Sequence, residues 1–428
     1  MNYGEADPAS GIRVCLANDS FPPLIDGVAN TVLNYARVIG KKYGVPVVAT
    51  PRYPGVTDDY PFEVVRYPSI NTVRMFGYRT GDPFNPQIMS ALGRFSPDII
   101  HSHCPLASSF LCRELRRITG APLVFTYHTK FDVDFARALK IGLLKDAAVR
   151  TIIDNIRVSD EVWAVNRGAA DNLRSLGFDG DIRIMPNGVD FPRGPMDRKA
   201  ASDLLSDVPF DRSLPVFLFV GRMMWYKGQR IIIEGAGRAA AEGYRFNLIF
   251  VGDGDDREEM IAAAESAGIG DRCLFPGAER DRERLRAYYS LADVFLLPSV
   301  FDNNPIVVKE AAACGTASVL IRGSSSAEGV SDGVNALLID EDGAEMAEAM
   351  KRILRDREFG RRLGESALKD LYVSWDDMVS SAVSRYRELI AAGAAGELSR
   401  RKAPSEIAIG AIADIAVRLD QFRDFFRD

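Results

Sequence analysis

The sequence predicts an α/β protein of two doubly wound, Rossmann-like domains facing a cleft, followed by a helical extension. Three observations lead there. Short apolar runs without polar alternation recur along nearly the whole chain, as in strands covered on both faces. Stretches of helical periodicity separate them, the pattern of parallel sheets with crossover helices. Turn formers then cluster at Asn187-Gly188-Val189-Asp190-Phe191-Pro192-Arg193-Gly194-Pro195, directly after a strand-like run, which marks a boundary. The expected division is a first domain over 1–192, a second over 193–372, a helix over 373–390 crossing back to the first, and a linker with an amphipathic helix over 391–428.

Composition supports two ordinary domains. The chain has 428 residues, of which 47% are hydrophobic and 26% charged, the balance of a soluble globular protein. A net charge of −6 gives no reason to expect nucleic acid as a partner. The five cysteines form no Cys-x-x-Cys pair and sit mostly in apolar runs, so they read as buried thiols in a reducing compartment. The segment Met1–Asp7 is neither basic nor apolar, and no apolar run approaches membrane-spanning length. A cytoplasmic location is expected.

In the first half the strand-like runs are 12–17, 45–50, 98–103, 122–127, 161–165 and 182–185. The loop from Asn18 to Val28 joins the first to a helix over about 29–41. Gly27, at the mouth of that helix, lets a ligand approach backbone N–H groups and the positive helix end, although a plain strand-to-helix turn fits the same residues. The three histidines follow strands: His101 and His103 on one side of theirs, His128 after the next. A metal would need further ligands with their supporting partners, and none can be assembled, so no metal is expected. His128 is the better candidate to touch substrate. From Lys130 to Asp160, Arg137, Lys140, Lys145 and Arg150 interleave with apolar residues. Such a surface could touch anionic lipid headgroups at the inner membrane face, and an ordinary helix with a solvated side fits as well.

In the second half the runs are 216–220, 247–251, 273–275, 294–297, 317–321 and 336–339. Gly221-Arg222-x4-Lys227-Gly228 follows the first of them: Gly221 permits close backbone approach, and Arg222 and Lys227 offer two cations to a diphosphate. Gly252-Asp253-Gly254-Asp255-Asp256 reads as a tight turn in which Asp255 or Asp256 caps the next helix, in preference to a metal-binding Asp-x-Asp. Next comes Pro298 to Gly315, in which Asn304 as N-cap and Pro305 as first residue start a helix that stops at Gly315. That stretch carries two acids, Asp302 and Glu310, on the order of 12 Å apart along the rise of a helix. Glycosidase carboxylates lie at most about 9.5 Å apart, so this spacing suits two ends of an extended ligand. The small residues from Gly323 to Gly333 would supply backbone and hydroxyl donors to the cleft floor.

With these pieces in order, the chain from about Ile12 to Ile390 resembles the retaining, nucleotide-sugar-dependent glycosyltransferases of family 4, which have the GT-B fold. The carrying motifs are Gly221-Arg222-x4-Lys227-Gly228, Gly252-Asp253-Gly254, Asn187-Gly188-Val189-Asp190 and the acid-x7-acid pair Asp302 and Glu310. The resemblance implies that Arg222 and Lys227 clamp the diphosphate, Glu310 binds the ribose hydroxyls, Asp302 holds the transferred sugar and His128 touches it near the reaction centre. Gly27 takes the place of the loop glycine beside the phosphates. Gly221, Asn303, Asn304, Pro305 and Ile306 complete the donor-binding set. Two positions depart from the family pattern: the first acid is Asp where Glu is usual, and Asp26 stands where a second glycine is common, giving a carboxylate near the acceptor.

The resemblance further implies transfer of a hexose to an acceptor hydroxyl without metal or cofactor. A UDP-sugar is favoured and GDP-mannose stays open as donor. Asp26-Gly27 with Thr126-Tyr127-His128-Thr129 leans towards glycolipid-synthesising relatives, with diacylglycerol one acceptor. Polysaccharide or small-glycoside synthesis is the alternative, and a non-catalytic nucleotide-sugar or glycan-binding subunit is the reading from another class. In the extension, Ala408, Ala411, Ile412, Ile415, Leu419, Phe422 and Phe426 recur at helical spacing, a face expected to dock on the body or on a second copy of the chain.

Overall fold

The computed structural model describes residues 11–24, 26–73, 79–128, 142–302 and 305–398. They form two compact units: one holds the described residues up to Asn187 and those from Trp375 onward, the other spans Gly188–Ser374. The division thus falls at Asn187/Gly188, several residues before the expected boundary at 192. Val189 pairs with Ser374 in a parallel bridge and donates its N–H to the Val373 carbonyl, and Val189 and Phe191 are buried in the second unit's core. Burial of those two side chains draws the linker into that unit.

In the first unit, strands β1 (Ile12–Ala17), β2 (Gly44–Pro51) and β3 (Glu63–Tyr67) come first. A two-stranded antiparallel ribbon of β4 (Ser69–Ile70) and β5 (Thr80–Gly81) follows. Then come β6 (Ile99–Ser102), β7 (Leu123–Tyr127), β8 (Glu161–Ala164) and β9 (Ile182–Ile184). The seven-stranded sheet has the order β3-β2-β1-β6-β7-β8-β9, and its pairings are parallel. β6 and β7 are buried throughout, which explains why their sequences lack polar alternation. β3 escaped the sequence reading because it carries Glu63 and Arg66. The Arg66 guanidinium is bound to Asp58 at 2.7 and 2.8 Å, which lets a charged residue sit in an outer strand.

The second unit has the order β12-β11-β10-β13-β14-β15, from β10 (Val216–Val220), β11 (Asn247–Val251), β12 (Cys273–Gly277), β13 (Val294–Leu297), β14 (Ala317–Ile321) and β15 (Leu337–Ile339). All its pairings are parallel. β10 pairs on one side with β11 and on the other with β13, so the winding reverses there. Connections leaving neighbouring carboxyl ends in opposite directions open a crevice at such a point. In this unit the loops at that crevice are the ones after β10 and β13, which carry Arg222, Lys227 and Asp302.

Helix Trp375–Ala394 belongs to the first unit. Tyr386 stacks on Trp163 with centroids 5.5 Å apart, and Arg385 Nε donates to Glu161 Oε2 at 2.8 Å. The five cysteines are buried free thiols. Among the described residues no helix is long and apolar enough to cross a membrane. The expected C-terminal amphipathic helix and the basic residues Arg137 and Lys140 lie outside the described residues.

Candidate active site

Three glycines interlock the loops at the strand ends of the second unit. A Cβ on Gly252 would lie 1.9 Å from the Gly221 carbonyl oxygen, and one on Gly254 would lie 2.4 Å from that of Met223. At Gly228, φ is +84° and a Cβ would lie 2.0 Å from the Pro298 carbonyl oxygen. Backbone therefore packs on backbone, which only glycine allows. Hydrogen bonds reinforce the join: Met223 N donates to Asp253 O at 2.9 Å, and Gln229 Nε2 to Arg222 O at 2.9 Å. Asp256 occupies the N-cap position of helix Arg257–Ser266, but makes no side-chain cap; its Oδ2 accepts from Trp225 N at 2.8 Å. The expected cap is thus a brace for the Arg222–Lys227 loop.

With Gly228 seated on Pro298, Lys227 reaches Asp302 and donates to its Oδ1; both side chains are 16% exposed. Asp302 Oδ2 is buried and has no hydrogen-bond partner among the described residues. The Ser326 hydroxyl lies 3.5 Å from the Asp302 carbonyl oxygen, which brings the small-residue segment against the first acid. Arg222 is exposed. Asn303 and Asn304 lie outside the described residues. Helix Ile306–Ala313 begins one residue later than expected, with Pro305 in the extended conformation at its N-cap position, and Gly315 follows at φ +69°, a left-handed stop.

Glu310 lies inside that helix and is 2% exposed. Its Oε1 accepts from Arg282 Nη2 at 2.6 Å, and its Oε2 from the Tyr289 hydroxyl at 3.1 Å. Burial pushes the Glu310 carboxyl above its ordinary range, and the Arg282 cation works against that rise. Arg282 also pairs with Asp190, and its guanidinium lies 4.4 Å from the centre of the Phe191 ring. Sequence reasoning missed Arg282 and Tyr289. No motif marks them, and they reach the site only because helix Arg282–Leu291 lies beside helix Ile306–Ala313.

In the first unit, Asp26 caps helix Gly27–Lys42: its Oδ1 accepts from Val28 N at 2.8 Å and Ala29 N at 2.7 Å. One carboxylate oxygen is therefore committed to the helix end. A Cβ on Gly27 would meet nothing within 4 Å, so the backbone there is open to a ligand. His128 is buried, and burial lowers its pKa to about 3, leaving the imidazole neutral. Its Nε2 pairs with His103 Nδ1 at 3.0 Å. His101 is fully paired, Nδ1 with the Tyr386 hydroxyl at 2.5 Å and Nε2 with Thr126 Oγ1 at 2.7 Å. Burial holds His101 and His103 neutral too. Among the described residues no group of three or more His, Cys, Asp or Glu is arranged to hold a metal ion.

Residues 25–193 match the model of Glycosyltransferase Family 4, and residues 205–370 that of Glycosyl transferases group 1. A GDP-mannose-dependent alpha-mannosyltransferase of Corynebacterium glutamicum is 25% identical over 89% of this chain and 90% of its own length. A D-inositol 3-phosphate glycosyltransferase of Xylanimonas cellulosilytica is 30% identical over 68% of this chain and 72% of its own. Among solved structures, Anabaena Alr3699/HepE in complex with UDP superposes with a TM-score of 0.71 at 15% identity, covering 88% of this chain and 100% of that one. The two parallel sheets have the GT-B fold. The chain belongs to the family 4, group 1 glycosyltransferases, enzymes that transfer a sugar from a nucleotide-sugar donor.

Proposed function

We propose that this enzyme is a retaining hexosyltransferase that works without a metal or other cofactor, taking a nucleoside-diphosphate sugar as donor and a hydroxyl as acceptor. The observation that carries the reading is the joining of Lys227 and Asp302 at the switch-point crevice of the second unit. A cation suited to a diphosphate and an acid suited to a sugar hydroxyl sit there within one bond of each other. The buried Oδ2 of Asp302 adds an acceptor with no partner among the described residues. Arg222 supplies the second cation and Glu310 takes the ribose hydroxyls. Gly221, Pro305 and Ile306 shape the donor-binding loops around them. For Gly27 and His128, in the first unit, the resemblance implies a phosphate-side and a sugar-contacting role.

The chemistry follows from those charges. The bond between the sugar anomeric carbon and the diphosphate oxygen breaks, and its electron pair leaves with the diphosphate, where Lys227 and Arg222 stabilise the added charge. The acceptor oxygen bonds to the same face of that carbon, and its proton passes to the departing phosphate oxygen. No carboxylate then has to act as a covalent nucleophile, and catalysis comes from positioning and charge stabilisation.

UDP-sugars are the first donors to test, with GDP-mannose beside them because one relative is named for it. Acceptors to test are diacylglycerol, in keeping with the glycolipid reading, and inositol phosphate, for which other relatives are named. Incubation with each donor and acceptor pair, with NMR of the product's anomeric proton, should show retained configuration and insensitivity to a chelator. Lys227→Ala or Glu310→Ala should abolish transfer while leaving the folded circular dichroism spectrum intact. Unchanged turnover in both variants would remove the site assignment.

A further inference from the structure

Arg282 has no motif to announce it, yet it is the hub of a charged cluster in the second unit. It begins helix Arg282–Leu291, and Tyr289 stands seven residues on, two turns along the same face. From that face the two side chains divide the Glu310 carboxylate between them. Arg282 Nη2 takes Oε1 at 2.6 Å, and the Tyr289 hydroxyl takes Oε2 at 3.1 Å. Each carboxylate oxygen has two lone pairs, so each keeps one acceptor position after these bonds. Two vicinal hydroxyls are the matching donor pair.

The guanidinium is itself held on two further sides. Asp190 pairs with it, and the Phe191 ring lies against it at 4.4 Å. Asp190 and Phe191 follow Val189, whose N–H is tied to the Val373 carbonyl at 2.9 Å, so the anchor is part of the unit's own framework. The Arg282 side chain is 43% exposed while that of Glu310 is 3% exposed, which places the cation at the rim and the acid behind it. A buried carboxylate without its cation would favour the protonated form, which accepts less well from a diol.

We infer that Arg282 is a positioning residue for the donor's ribose: it orients Glu310 so that the two remaining acceptor positions meet the ribose hydroxyls, while Asp190 and Phe191 fix the guanidinium. This rests on the reading of Glu310 as the ribose acid. The test is isothermal titration calorimetry of UDP and GDP, and of their 2′,3′-dideoxy counterparts, on the full chain and on Arg282→Gln, Arg282→Lys, Glu310→Gln and the Arg282→Gln/Glu310→Gln double variant. Arg282→Gln should weaken the ribonucleotide by about tenfold to a hundredfold, the span of a charge-assisted hydrogen bond, and leave the dideoxy compound unchanged. The loss should vanish in the Glu310→Gln background, and Arg282→Lys should restore part of it.

Equal weakening of ribo and dideoxy compounds, or an undiminished loss without Glu310, would overturn the inference. Should Glu310→Gln leave the preference for ribose unchanged, the ribose assignment fails and this inference with it; a Glu310 effect with no Arg282 effect overturns the inference alone. Asp190→Asn covers the case in which Arg282→Gln does not fold, since a loosened guanidinium should give a smaller loss confined to the ribonucleotide. Loss on both compounds, or on neither, counts against it.

Discussion

Lys227 donates directly to Asp302 across the join between two loops, although the two residues are 75 positions apart and each has a separate expected partner in the donor. The pair holds the cation proposed for the diphosphate against the acid proposed for the sugar. A donor that engages both must exchange this bond for two new ones, so part of its interaction energy goes into separating them.

Asp302→Asn should therefore tighten binding of the bare nucleoside diphosphate while damaging transfer. The lysine loses its competitor, and a negative charge beside the phosphates disappears. An affinity gain of about tenfold, 1.4 kcal/mol at 25 °C, is expected. Transfer should fall by roughly a hundredfold, as for loss of one preorganised group. Calorimetry with UDP and GDP, together with initial rates, checks both; unchanged or weaker binding would show that the pair does not compete with the donor.

Gly228→Ala should strain the join itself. The added Cβ meets the Pro298 carbonyl oxygen at 2.0 Å, and φ of +84° is unfavourable for any residue with a side chain. A loss of about 1–3 kcal/mol is expected from the backbone conformation alone, before the clash is counted. Urea denaturation measures it, and Gly243→Ala is the control: φ there is +87° but a Cβ meets nothing within 4 Å. If the two variants were equally destabilised, the contact with Pro298 would be irrelevant.

Stability should fall as pH is lowered from neutrality. His128, with a pKa of about 3 in the folded chain, binds no proton where the unfolded chain does. Its contribution is fully present above the unfolded value of about 6.5 and is lost progressively towards about 3. His101 and His103 act in the same sense, since burial depresses both. Urea midpoints between pH 7 and pH 4 should drop more steeply for the wild type than for His128→Gln. Identical slopes would mean that His128 is not neutral in the folded state.

Tyr386→Phe should cost stability without touching nucleotide binding. The hydroxyl pairs with His101 Nδ1 at 2.5 Å inside a buried cluster, while the ring's stack on Trp163 survives the change. Leaving that nitrogen unpaired should cost about 1–3 kcal/mol. Chemical denaturation reads the loss, and calorimetry with UDP or GDP should show an unaltered dissociation constant.

Much of this is legible in the sequence. The apolar runs located both parallel sheets because strands covered on two faces need no polar alternation, and Gly221, Gly228, Gly252 and Gly254 marked the loops where backbone touches backbone. Glu63–Tyr67 was not legible, since Arg66 is accommodated by Asp58 and no local pattern announces a partner eight residues away. Asp26 reads as a carboxylate near the acceptor, and Asp255 or Asp256 as the cap of the next helix. Only the fold turned Asp26 into a helix cap and Asp256 into a brace for Trp225.

By itself the sequence determined the α/β class, the order of the strand-end loops and the acid-x7-acid spacing of Asp302 and Glu310, because period, turn chemistry and helix rise are local properties of the chain. The tertiary structure decided what those residues touch. Lys227 meets Asp302 because the winding reverses beside β10, and Glu310 meets Arg282 because two helices distant in sequence lie side by side. Such pairings depend on which strands become neighbours, a choice made by the burial of the whole six-stranded sheet rather than by any residue near the site.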